Sequence, residues 1–296
     1  MKPARFDYVR PDSVDQALDL LARYGGDAKI IAGGQSLMPM MNFRLVKPAV
    51  LVDINRIPGL EVIEDQGERV RMGALARHRM TATDSMIASR IPVLHDAMHH
   101  VAHMTVRNRG TFCGSVCHAD PAAEIPMIVL MLDGQVEVAS ASRRRVLPAA
   151  EFLVGSLVTA LEADEMVTGI TIGMSDPQSG WAFEEFSRRH GDFALAAVAV
   201  TLGVDADGAI RNPRIGMTGV GETAMRMRGV EALIDGCHPD EDMLGEVSEW
   251  LNDNLVPNTD IHAGADYRRH LSGVLAGRAI RAAYARARTL RGKQDE

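Results

Sequence analysis

Two short stretches of this chain set glycine beside small hydroxyl donors. Gly33-Gly34-Gln35-Ser36 follows an apolar run, and Gly110-Thr111-Phe112-Cys113-Gly114-Ser115 repeats the theme later. Glycine reaches positive φ and has no Cβ to hold a ligand away. Consecutive backbone N–H groups in such a turn form a concave nest for anions, and Ser36 adds a hydroxyl. A tight turn explains the first stretch equally well when it is taken alone. Beyond the second, Glu124 offers a carboxylate to ribose hydroxyls or an adenine amino group. Together the two stretches suggest a dinucleotide whose diphosphate lies between them. Neither matches G-x-G-x-x-G opening a crossover helix, so the pattern is not a Rossmann site.

Other candidates carry less. Cys113 and Cys117 with His118 form a C-x3-C-H group, but Cys237 lies far along the chain beside Gly236. A zinc or iron–sulfur site needs further ligands, so buried structural cysteines are the simpler reading. His99, His100 and His103 share a helical spacing that suits a metal, a proton shuttle or a hydrogen-bonded helix face. Arg107 and Arg109 suit phosphate charge, helix-end ion pairs or a partner surface. No Ser-His-Asp order or activated cysteine supports covalent hydrolysis.

These groups need elements to hold them. Ser13 precedes an apolar stripe of Val14, Ala17, Leu18 and Leu21, with Gln16 completing a capping box and Gly25-Gly26 ending the helix. Strands are expected over residues 28–32, 49–54 and 69–74, and a helical region over 85–103 with a break near Pro92. Residues 135–139 and 166–172 read as closing strands. Arg143-Arg144-Arg145 reads as a solvated hairpin edge. The polar turn at residues 175–180 suggests a domain boundary. Beyond it come strands over 181–187, 194–204 and 215–220, then helices over 243–251 and from Asp266 onward. The last helix is expected to bury Tyr267, Leu271, Val274 and Leu275, and RGKQDE to fray. This half is an α+β module.

The chain has 296 residues, enough for two domains, and a net charge of −7 that gives nucleic-acid binding no electrostatic support. It contains no apolar run of the roughly 18–20 residues needed to span a bilayer, and its first residues lack a signal-peptide core. Three cysteines make no disulfide framework, so a cytoplasmic location is expected.

IAGGQSLMPMMNFRL followed by LVDINRIPGL resembles the first flavin loop of the FAD-binding medium subunits of molybdenum-containing hydroxylases. VRNRGTFCGSVCHADPAAEIP resembles their second flavin loop, and SRRHGDFALAAVAV and GVGETAMR resemble landmarks of their C-terminal domain. The VRNRGT and HADPAAEIP flanks lean towards the bacterial N-heteroaromatic hydroxylases. The resemblance implies an α+β fold. A two-part FAD-binding domain of the vanillyl-alcohol-oxidase (PCMH) type spans 1–176, with subdomains of about 1–56 and 57–176. A smaller α+β domain follows over 177–296.

It further implies FAD on this chain, with the molybdenum cofactor and two [2Fe–2S] clusters on a large and a small partner subunit, in a dimer of heterotrimers. Electrons would pass from the clusters through FAD to an external acceptor. Residue by residue, Ala32, Gly33, Gly34, Gln35 and Ser36 with Leu37, and Thr111, Cys113, Gly114 and Ser115, would wrap the diphosphate. Glu124 falls where relatives carry an acid near the ribose and adenine, and His118 and Asp120 belong to the same loop. Asp192 and Phe193 fall where several relatives place an Asp-Tyr pair near the flavin ring. Leu195 falls where xanthine dehydrogenases have a lysine, which argues against a copy of their NAD-reactive site. Cys113 replaces the first glycine of the second loop, implying a negative φ there or local strain. The alternatives are a self-contained FAD oxidoreductase and a flavin-free scaffold subunit.

Overall fold

Ser13 opens helix α1 (Val14–Tyr24) in the computed structural model, which describes residues 1–292. Its hydroxyl accepts from the Gln16 amide at 3.2 Å. Gln16 does not close the box on Ser13, because its side chain accepts from the Asp12 amide at 2.9 Å. Ala17, Leu18 and Leu21 are buried, and Gly25 caps the helix at φ 50°. The helix packs on a parallel sheet of order β1 (Asp7–Val9), β3 (Val50–Asp53), β2 (Ala28–Ile31). The central strand β3 is buried at every residue, hence its unbroken apolar reading in VLV. After β2 the glycine turn runs into α2 (Leu37–Asn42), a helix the apolar pattern did not announce. Pro39 sits in its first turn, where the missing N–H costs nothing.

A second, antiparallel sheet has the order β4 (Ile63–Asp65), β5 (Arg69–Gly73), β10 (Met166–Gly173), β6 (Gln135–Ala139), β7 (Arg144–Pro148). Seven short helices surround it: α3 (His78–Thr83), α4 (Ser85–Arg90), α5 (Pro92–Met98), α6 (Met104–Arg107), α7 (Phe112–His118), α8 (Glu124–Met131) and α9 (Ala149–Phe152). Pro92 takes the first position of α5, so the expected break divides two helices. A small hairpin, β8 (Leu153–Gly155) with β9 (Val158–Thr159), follows α9. Phe112, Phe152, Met72, Met98 and Ile125 fill the core between sheet and helices.

The arginine run lies on the β6–β7 hairpin at the edge of this sheet, with Arg143 and Arg144 exposed as expected. Arg143 and the half-buried Arg145 also reach Glu165, whose side chain is only 1% exposed, at 2.9 and 2.5 Å. Burial alone would push the Glu165 carboxyl up, yet the Arg145 contact, the Glu162 amide and Arg143 together hold it below its ordinary value.

A four-stranded antiparallel sheet follows, β11 (Gly180–Ser187), β12 (Ala194–Val204), β13 (Ile210–Thr218) and β14 (Met225–Arg226). Then come α10 (Arg228–Ile234), α11 (Glu241–Asn254) and α12 (Ala265–Gly292). The first nine residues of β12 are buried between α12 on one side and α5 and α8 on the other. On α12, Ala276, Ala279, Ala283 and Ala287 are fully buried, and these small side chains let the helix approach the sheet. Tyr267 and Val274 point outward, at 45% and 38% exposure, while Arg268 takes a place on the buried face. Leu271 and Leu275 are buried as expected, so the expected face is rotated and not reversed. The helix continues through Gly292, and the remainder of the RGKQDE tail lies outside the described residues.

The two halves are stitched together. The Pro121 carbonyl accepts from the Gly219 amide at 2.8 Å and from the Thr218 hydroxyl at 2.7 Å. Trp181 Nε1 donates to Asp96 at 2.9 Å, and Asp133 receives Arg214 and Arg226.

Candidate functional site

Between these halves lies a cavity of about 750 Å³, a size common for small-molecule and cofactor sites. Ala32, Gly33, Gly34, Gln35, Ser36 and Leu37 line it from one side. Thr111, Cys113, Gly114, Ser115, His118, Asp120 and Glu124 line it from another, and Asp192 and Phe193 complete it. Every residue that the resemblance assigns to the cofactor thus borders the same space.

The first segment is a turn between β2 and α2. Gly34 has φ 70°, a left-handed conformation that favours glycine, and its carbonyl accepts from Met38 at 3.1 Å. Gly33 is glycine for a different reason. A Cβ there would strike the carbonyl oxygen of Arg109 and lie 2.7 Å from Gly110 Cα. The two segments therefore meet backbone to backbone, and only a residue without a side chain fits at the join. Gln35 folds back on the turn, its amide donating to the Gly33 carbonyl at 3.0 Å.

The second segment is not a loop throughout. Thr111 caps α7, its hydroxyl accepting from the Gly114 amide at 3.1 Å. Cys113 stands inside the first helical turn with a negative φ, so the glycine-to-cysteine difference introduces no left-handed strain. Its thiol lies 3.5 Å from the carbonyls of Met72 and Gly73, and burial holds its pKa well above the ordinary value. Burial also pushes Cys117 up to about 12. The left-handed residue is Ala119, at φ 52°, which ends the helix. Asp120 then accepts from the Ala122 amide at 2.9 Å, shaping the turn into α8, and lies 4.0 Å from His118.

Glu124 opens α8 and is only 4% exposed. Burial, then the negative charge of Glu185, push its pKa up to about 8, so it carries a proton at neutral pH. Glu185 comes from β11, its side chain 2% exposed, with His100 Nδ1 at 3.8 Å. Asp192 and Phe193 arrive on the turn between β11 and β12, where Gly191 at φ 85° packs on the His103 ring. Phe193 is 59% exposed, at the rim of the cavity.

Several expectations change. Arg107 faces the carbonyls of Val101 and Ala102 at 3.0 and 2.7 Å, which is a loop staple and not a phosphate contact. His99 packs edge-on against His95, while His100 faces Glu185 and His103 faces Gly191, so the three histidines do not converge. Among the described residues no group of three His, Cys, Asp or Glu side chains is placed to hold a metal ion. Leu195 is buried in β12 and does not border the cavity. Sequence reasoning missed His78, a cavity residue 6% exposed whose pKa is lowered to about 4 by burial and by the charges of Arg107 and Arg77. It also missed Glu162 and Glu165, which border the cavity from the segment after β9. No motif marks them, although the adjacent arginine run was a signal for a buried carboxylate.

The cavity's donors suit FAD. Glycine backbone and hydroxyls face one another across the Gly33 join, where a diphosphate would sit, and Val101, Val106, Leu157 and Leu161 give apolar wall for a flat ring. Comparison with known proteins agrees with that chemistry. Residues 4–174 match the FAD binding domain in molybdopterin dehydrogenase, and residues 181–283 match the CO dehydrogenase flavoprotein C-terminal domain. The chain is 40% identical over its whole length, and that of its relative, to the 6-hydroxypseudooxynicotine dehydrogenase complex subunit alpha of Paenarthrobacter nicotinovorans. It is 40% identical to the nicotine 6-hydroxylase medium subunit of the same organism, covering 97% of this chain and 100% of the other. A solved carbon monoxide dehydrogenase from Hydrogenophaga pseudoflava superposes with a TM-score of 0.93 at 35% identity, over 97% of this chain and 99% of that one. Among the described residues no helix is long and apolar enough to cross a membrane.

Proposed function

The chain belongs to the family of FAD-binding medium subunits of molybdenum-containing dehydrogenases, and from that premise we propose that it is the electron outlet of a three-part hydroxylase. A small subunit carrying two [2Fe–2S] clusters and a large subunit carrying the molybdenum cofactor complete each unit, and two such units form a dimer of heterotrimers in the cytoplasm. FAD, when bound, accepts electrons singly and yields them to an external acceptor. The substrate class is an N-heteroaromatic compound, a reading supported by the names of the two relatives that act on nicotine derivatives.

In this reading Ala32–Ser36 and Thr111–Ser115 hold the diphosphate with backbone amides and hydroxyls. Glu124, protonated at neutral pH, offers an O–H donor as well as an acceptor to ribose or adenine. Phe193 covers the flavin ring where it faces solvent. The carrying observation is the convergence on one cavity of three segments distant in sequence, with Gly33 at their backbone join.

Purification of the chain alone, then with both partner subunits, tests the proposal. The expected result is a yellow chain with one FAD that oxidises no substrate until both partners are added. A colourless chain that takes up no FAD overturns it. Turnover by the isolated flavoprotein would instead make it a self-contained oxidoreductase.

A further inference from the structure

The two cofactor segments are joined through side chains that border neither of them in sequence. Asn55, two residues beyond β3, donates from Nδ2 to the Ala32 carbonyl at 2.8 Å, in the first segment. The Asn55 Oδ1 accepts from Arg77 Nη2 at 2.5 Å. The other arm of the same guanidinium, Nη1, donates to the Arg109 carbonyl, immediately before the second segment. The backbone around Arg77 is stitched to that segment as well. Arg77 bridges Thr111, the His78 amide donates to the Gly110 carbonyl at 3.0 Å, and the Phe112 amide to Ala76 at 2.8 Å. Asn55 is fixed in turn by Asp53, which accepts from its amide at 2.9 Å and its side chain at 2.6 Å, and which also accepts from Tyr8.

A line of polar contacts thus runs from Tyr8 through Asp53, Asn55 and Arg77 to Arg109, and ties the parallel sheet to the helical layer. The line crosses the join at Gly33, where the segments already touch. Arginine suits the task because its planar fork presents two donors in fixed directions. Half-buried, Arg77 is partly desolvated and lies near Arg109, with Asp53 as the compensating charge.

We propose that Arg77 is a positioning residue which, through Asn55, sets the separation of the two segments and so the tightness with which the diphosphate is held. The proposal rests on FAD occupying this cavity. Arg77 acts without contacting the cofactor, because it reaches the Arg109 carbonyl directly and the Ala32 carbonyl through Asn55, and takes up none of the segments' N–H groups.

Three variants of the full chain test it by FAD titration: Arg77→Met, Arg77→Lys and Asn55→Ala. Loss of charge-assisted hydrogen bonds predicts an FAD Kd raised about tenfold to a hundredfold in Arg77→Met. Arg77→Lys keeps the charge but cannot span both acceptors, and should stay about tenfold weaker than the parent chain. Combining Arg77→Met with Asn55→Ala should weaken binding by much less than the product of the two single effects. The ³¹P resonances of bound FAD should move in Arg77→Lys at saturation, which a loss of general stability would not cause. Full affinity in Arg77→Lys, or multiplicative effects in the double variant, would overturn the brace. If Arg77→Met does not fold, Asn55→Ala and Arg77→Lys decide the matter by the same readings. Failure of the parent chain to bind FAD would instead overturn the site assignment on which the brace rests.

Discussion

Gly33 and Gly34 are neighbours with different reasons to be glycine, and substitution should separate them. Gly33→Ala drives a methyl into the Arg109–Gly110 backbone, so the segments must part. FAD affinity is expected to fall more than about tenfold, roughly 1.4 kcal/mol or more. Gly34→Ala meets only the flexible ends of Ile31 and Met38 at 3.2 and 3.3 Å, but it carries the left-handed penalty of about 1–2 kcal/mol. It should lower the melting temperature of the apo chain more than it lowers FAD affinity. Thermal unfolding and flavin fluorescence read the two effects separately. At Glu124 the pH dependence has a definite sign. Folded, the carboxyl titrates near 8, against an ordinary 4.5, so between those values the folded chain holds a proton that the unfolded chain releases. That contribution is complete below 4.5 and is lost as pH rises through 8. Glu185, Asp120, His118 and His100 are the ionisable groups around it. Glu124→Gln should remove this decline, so that its advantage in apo melting temperature over the parent chain widens from about pH 5 to pH 8. A gap that does not widen would show that the carboxyl is already ionised.

At the scale of elements, the segment between β9 and β10 owes its path to Glu165. Its carboxylate receives Arg143 and Arg145 from the β7 edge, and one of its oxygens accepts from the Glu162 amide at 2.9 Å. Glu165→Gln leaves two guanidiniums without their shared charge and should cost about 1–3 kcal/mol in urea unfolding, with the cavity wall at Leu161 and Glu162 loosened. This part of the wall was illegible in the sequence because a single glutamate before a strand has no periodic signature. Strands with continuous or alternating apolar runs, such as residues 135–139 and 194–204, were legible to within a residue. Their extended state is readable from the local pattern alone. Helices α2 and α10 were not foreseen, since their faces are defined by tertiary neighbours. On α12 the apolar stripe of Tyr267 and Val274 misled, because a row of alanines and the hydrogen-bonded Arg268 make the buried face. The cavity's two glycine segments were legible because glycines and hydroxyls cluster at segment ends. The Asn55–Arg77 contact that joins the segments was not, since its spacing along the chain reflects sheet geometry and no local motif.

For the whole molecule, the cavity's position between the halves means that its last wall is built late. The first two walls, and the lining added by residues 157–167, belong to the region folded around the two N-terminal sheets. The third, Gly191 to Phe193, is anchored beyond itself by Arg268 of α12, whose guanidinium donates to the carbonyls of Leu195 at 2.6 Å and Gly219 at 2.9 Å. Asp260 holds the other arm of that arginine at 2.8 Å. Protein chains fold from the N-terminus as they emerge from the ribosome, at about 5–20 residues per second. On that order the two glycine segments would take shape while the chain is still growing, whereas the Phe193 wall waits for α12, the last helix among the described residues. A dinucleotide taking this cavity would then have its widest way in before the wall at residues 191–193 is built.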